Sequence, residues 1–150
     1  MTKLDDALQG VSRLGVDTAP VIYFMEANPQ YDALVTEIFQ RIANGNPEAY
    51  SPVITLVEVL VQPLRANDQQ LVQDHKDLLL HANHFTTVAL SPAIAASAAD
   101  FRARYHSLRT PDALQIAAAM ENGCQALLTN DTKLKQVTEL SILILDELQL

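Results

Sequence analysis

Four acids stand where a chain could use them for chemistry. Asp17 closes the stretch RLGVD, Glu58 lies in SPVITLVEVL, Asp112 opens TPDALQIAAA, and Asp131 follows the apolar run QALLTN. Carboxylates gathered in one place repel each other and are driven toward protonation unless a cation compensates them. An all-oxygen ligand set selects a hard divalent ion, Mg2+ or Mn2+, which keeps some water and shares itself with a substrate phosphate. Such an ion polarises a phosphodiester and lowers the pKa of water. Asp17, Asp112 and Asp131 are the candidate ligands, and Glu58 is a ligand through water or a general base. One ion and two are equally compatible with the sequence. Thr129 places a hydroxyl two residues before Asp131, suited to orienting a water or a carboxylate.

Each acid also has a simpler use. Asp17 and Asp131 can cap the helices that follow them, and Asp112 can complement a helix dipole from the first turn. Glu58 is harder to place. Its neighbours Ile54, Leu56, Val57, Val59, Leu60 and Val61 leave its helix almost no wet face, so the sequence predicts a buried carboxylate. A buried carboxylate without a partner is costly, and no basic residue lies within one turn of it. For phosphate contacts the candidates are Arg102, Arg104, His106 and Arg109, although a solvated basic helix end explains them equally well.

The elements that must position these residues alternate. Strand-like runs fall at 13–17, 49–55, 84–90, 125–130 and 141–148, separated by segments of helical period. Pro63 should bend or end the helix after the second strand. Asp68 and Ser91 are placed as helix caps, Thr110 repeats the start signal, and Gly123 suits a helix end. Ala113, Ala117, Ala118 and Ala119 make one helix thin enough to lie close on a sheet. Strands alternating with helices predict an α/β fold whose mostly parallel sheet is covered on both faces. Ligands in such sheets bind beyond the carboxyl ends of the strands, the rim toward which the four acids fall.

A chain of 150 residues with 49% hydrophobic composition predicts one domain, 1–150. The single cysteine, Cys124, excludes an internal disulfide and reads as a small buried residue in a reducing compartment. There is neither a secretory leader nor an apolar run long enough to span a bilayer, which predicts a soluble, cytoplasmic protein without membrane attachment. The net charge of −8 argues against holding nucleic acid by basic residues alone, so cations or a partner would have to help. Gly10 and Gly15 have P-loop spacing, but Val16 and Asp17 stand where Lys and Ser or Thr are required. Dinucleotide and serine-hydrolase motifs are absent, and His81 with His84 lacks the companions of a zinc site.

Together, VDTAPVIY, SPVITLVEVL with Ser51, Thr55 and Glu58, TPDALQIAAA, and LLTND with Thr129 and Asp131 resemble the PIN-domain ribonucleases, and within them the VapC-like toxins. The resemblance runs from about residue 13 to 146, with the motifs in the family's order. It implies a three-layer α/β/α sandwich and Mg2+- or Mn2+-dependent hydrolysis of RNA. It also implies metal-site roles for Asp17, Glu58, Asp112 and Asp131 with Thr129 in support, a homodimer, and a small antitoxin partner. The competing expectation is a PIN-like module that binds RNA or protein without cutting.

Overall fold

A computed structural model describes all 150 residues. In chain order, β1 (Thr2–Lys3) and α1 (Leu4–Ala7) precede β2 (Arg13–Val16), α2 (Thr18–Met25) and α3 (Asp32–Ala43). Next come β3 (Glu48–Pro52), α4 (Ile54–Arg65), α5 (Gln69–His81), β4 (Phe85–Val88), α6 (Pro92–Arg104) and α7 (Thr110–Glu121). The chain ends with β5 (Ala126–Thr129), a 3-10 turn at Thr132–Gln136, β6 (Ser141–Ile144), a second 3-10 turn at Leu145–Glu147, and β7 (Leu148–Gln149). Helix starts follow local chemistry: Asp17 accepts from the Thr18 N–H, Asp68 from Leu71 and Ser91 from Ile94.

The five-stranded sheet has the order β4-β3-β2-β5-β6, with every pair parallel. From β2 the chain winds outward through β3 to β4, then crosses back to place β5 on the other side of β2. The order therefore reverses between β2 and β5. Strand alternation sorts the core into two layers. Leu14, Val16, Ala126 and Leu128 pack against α2 to α5, while Leu127 faces α6 and α7. The result is the three-layer sandwich. Gly15 is needed where α7 comes closest, because a Cβ there would stand 2.9 Å from the Ala119 Cβ.

Three local readings are narrowed or changed, and the N-terminal residues add structure of their own. Pro63 does not end α4, which runs two residues further before Asn67 turns the chain with φ +52°. Thr110 is the first residue of α7 and not its cap, because Asp112 reaches back to the Arg109 N–H at 3.0 Å. The last predicted strand breaks after Ile144. Asn130 takes the Asp146 N–H at 3.0 Å and Tyr31 donates to the Asp146 carboxylate at 2.6 Å, which pulls 145–147 out of the ladder. The first residues are also structured: β1 pairs in parallel with β7, and Leu4 is buried.

Candidate functional site

The reversal between β2 and β5 brings two strand tips side by side. Asp17 leaves β2 with its N–H bonded to the Leu128 carbonyl at 2.9 Å. Its Oδ1 accepts from the Thr18 N–H and its Oδ2 from the Thr129 hydroxyl, each at 2.7 Å. Burial holds the Asp17 carboxyl above its ordinary value of 3.8; the bonds from Thr129 and Thr18 pull it down, and the charges of Glu58 and Asp112 push it further up. Below this tip the buried Ser51 hydroxyl, on β3, donates to the Val16 carbonyl.

Thr129 is fully buried at the end of β5. Its oxygen also accepts the Asp131 N–H at 3.1 Å, so one hydroxyl sets both strand tips. Asp131 in turn begins the 3-10 turn, accepting from the Lys133 N–H at 3.0 Å. Asp112 is 8% exposed in the first turn of α7. The Arg109 Nε lies 3.5 Å from its carboxylate and the Lys133 Nζ lies 3.8 Å away.

Glu58 corrects an expectation. It is exposed, not buried, because α4 turns an apolar stripe of Val57, Val61 and Leu64 outward to solvent. Apolar neighbours therefore did not mean burial on this helix. Glu58 nonetheless lines the same cleft as Asp17, Asp112 and Asp131, a space of about 230 Å³. It is held there by the Thr18 hydroxyl, which donates to its Oε1 at 2.9 Å.

All four acids thus face one cleft, but no three acidic, histidine or cysteine side chains are drawn together as a finished ion cage. The donor set is carboxylate and hydroxyl oxygen, the chemistry of a hard divalent ion. The Asp17 carboxyl, raised mainly by burial and further by its acidic neighbours, is the kind of group such an ion relieves.

The basic residues divide. Arg102 is spent on the Leu108 carbonyl and the Thr110 hydroxyl, and Arg104 on Asp100 and Glu139 while lying over Phe101 and Tyr105. Arg109 alone of the three lines the cleft. Two further cleft residues, Thr18 and Gln115, escaped the sequence reading, as did Lys133 beside the acids. Thr18 had no signal beyond following Asp17. Lys133 looked like one charge in a polar turn. Gln115 could have been found as the single amide in LQIAAA: it is 2% exposed and donates to the Thr55 hydroxyl at 2.8 Å, and its Oε1 is buried without a partner.

Comparison with known proteins follows this geometry. No curated protein matches the sequence. In structure the chain is similar to a VapBC2 complex of Rickettsia felis bound to a DNA fragment from its promoter, with 16% identity and a TM-score of 0.69 over 87% of this chain and 96% of that one. It is similar to FitAcB of Neisseria gonorrhoeae, with 20% identity and a TM-score of 0.66 over 90% and 99%. A toxin–antitoxin complex from Klebsiella pneumoniae aligns with 23% identity and a TM-score of 0.62 over 81% and 88%. The family model of the PIN domain matches residues 15–140, and with most of its length so covered the chain belongs to the PIN-domain family.

Proposed function

We propose that this protein is a divalent-metal-dependent endoribonuclease that serves as the toxin of a toxin–antitoxin pair. The observation that carries this reading is the placement of Asp17, Asp112, Asp131 and Glu58 on one cleft at the point where the strand order reverses. An ion such as Mg2+ or Mn2+, when bound, would supply Lewis-acid polarisation of the scissile phosphate. Asp17, Asp112 and Asp131 would hold it, with Thr129 keeping Asp17 fixed and charged toward the cleft. Glu58, exposed to water and steadied by Thr18, is placed to accept the proton of the attacking water. Arg109, the arginine on the cleft lining, is the side chain offered to a substrate phosphate.

The partners follow the same reading. The outward stripe of Val57, Val61 and Leu64 is an apolar surface for protein association, and the Klebsiella pneumoniae structure of similar fold is a toxin–antitoxin complex. A homodimer bound by a small antitoxin fits both. No helix is long and apolar enough to cross a membrane.

The test is incubation of the purified protein with total RNA in Mg2+, Mn2+ or EDTA, beside Asp17→Ala. Cleavage should vanish with the chelator and with the substitution. Cleavage that persists in EDTA would overturn the metal-dependent reading. A protein that Mn2+ stabilises but that cuts no RNA would instead be a binding module.

A further inference from the structure

We infer that Lys133 is the site's resident counter-ion, an ammonium that compensates Asp112 and Asp131 in the metal-free protein and must be displaced when a divalent ion takes those carboxylates. This rests on the metal-dependent reading above. The Lys133 Nζ stands 3.8 Å from the Asp112 Oδ2 and 3.7 Å from the Asp131 Oδ2. These separations exceed a hydrogen bond, so the attraction is that of a charge between two opposite charges and carries no tight directional contact. The Lys133 side chain is 45% exposed, which leaves it free to swing into solvent at small cost.

Its backbone, by contrast, is anchored. The Lys133 N–H donates to the other oxygen of Asp131 at 3.0 Å, and its carbonyl accepts from Gln136 at 2.9 Å. The stem therefore stays beside the acids while the ammonium moves. Lys135, two residues on, provides the contrast: it is paired with Glu147 at 2.6 Å. Arg109 also faces Asp112, at 3.5 Å, but among the cations near the cleft only Lys133 lies within ion-pair distance of two of the four acids. A lysine in that position lowers the repulsion that would otherwise open the metal-free cleft. It also sets the affinity for the ion, since the two cations compete for the same oxygens.

The experiment is a Mn2+ titration followed by thermal unfolding of the full chain, for the parent, Lys133→Met, Lys133→Arg and Lys135→Met. Methionine keeps the stem and removes the charge. In Lys133→Met the metal-free melting temperature should fall and the half-saturating Mn2+ concentration should drop about threefold to tenfold, the scale of losing two partly exposed ion pairs. Lys133→Arg and Lys135→Met should titrate like the parent. A Mn2+ midpoint in Lys133→Met that is unchanged or higher, or an equal drop in Lys135→Met, overturns the inference and leaves the metal-dependent reading standing. A parent protein that Mn2+ does not stabilise overturns both.

Discussion

The Thr129 hydroxyl donates to the Asp17 Oδ2 at 2.7 Å across residues 112 positions apart in the chain. It is the bond by which the tip of β5 fixes the acid that follows β2. Because the same oxygen accepts the Asp131 N–H at 3.1 Å, one fully buried atom orders two of the candidate ligands.

Thr129→Val keeps the shape and removes both bonds, leaving a carboxylate oxygen and a backbone N–H without partners. The expected loss is about 1–3 kcal/mol, the cost of stranding buried polar groups. Thr129→Ser should recover most of it. Urea unfolding of the three proteins measures this directly, and a valine variant as stable as the parent would show that the bond contributes nothing.

Asp17→Asn should raise the stability of the metal-free protein at neutral pH. The folded state holds the Asp17 proton more tightly than the unfolded chain does, mainly through burial. The carboxyl therefore favours folding below its unfolded value, and that contribution is lost as the pH rises through the raised folded value. At neutral pH the charged carboxylate is a net cost, which asparagine removes. The advantage of the variant should shrink as pH falls toward 3.8, and thermal melts in EDTA across that range would reveal it. A variant that is less stable than the parent at neutral pH contradicts this account.

Gly15→Ala tests the close approach of α7 to β2. The new Cβ would meet the Ala119 Cβ at 2.9 Å and the Leu127 Cδ1 at 3.0 Å, both in the packed interior. Forcing a methyl into such a core costs about 1–3 kcal/mol. The strain lies two residues before Asp17, so the RNA cleavage proposed above should fall along with the denaturation midpoint. Wild-type stability in the variant would mean that α7 moves away freely.

Cys124 should be chemically silent in the folded protein. Burial pushes its thiol up to about 12, with the Arg13 guanidinium pulling slightly the other way. The reactive thiolate is then scarce at neutral pH. Alkylation or disulfide exchange should become fast only with unfolding, and stoichiometric labelling of the native protein would contradict the buried placement.

Local chemistry was legible in the chain. Asp17, Asp68 and Ser91 announce helix starts because a capping side chain acts on backbone groups only a few residues away. The alanines of α7 signal close packing because their small volume is a property of the residues themselves, and Gly15 opposite Ala119 bears that out. The break at 145–147 was not legible, since it depends on Asn130 and Tyr31 arriving from other parts of the chain. Glu58 misled for a related reason: its apolar neighbours describe a helix that wants cover, and within one chain its outer face has none.

From sequence alone came the alternation of strands and helices, the all-oxygen character of the site, and the position of its acids near strand ends. These are set by periodicity and residue type within a few positions. Only the tertiary structure decided that β5 lies beside β2, that Thr129 holds Asp17, that Arg102 and Arg104 are taken up by neighbours away from the cleft, and that Lys133 stands between two acids. Those facts are distances through space, and strand order with side-chain packing sets them.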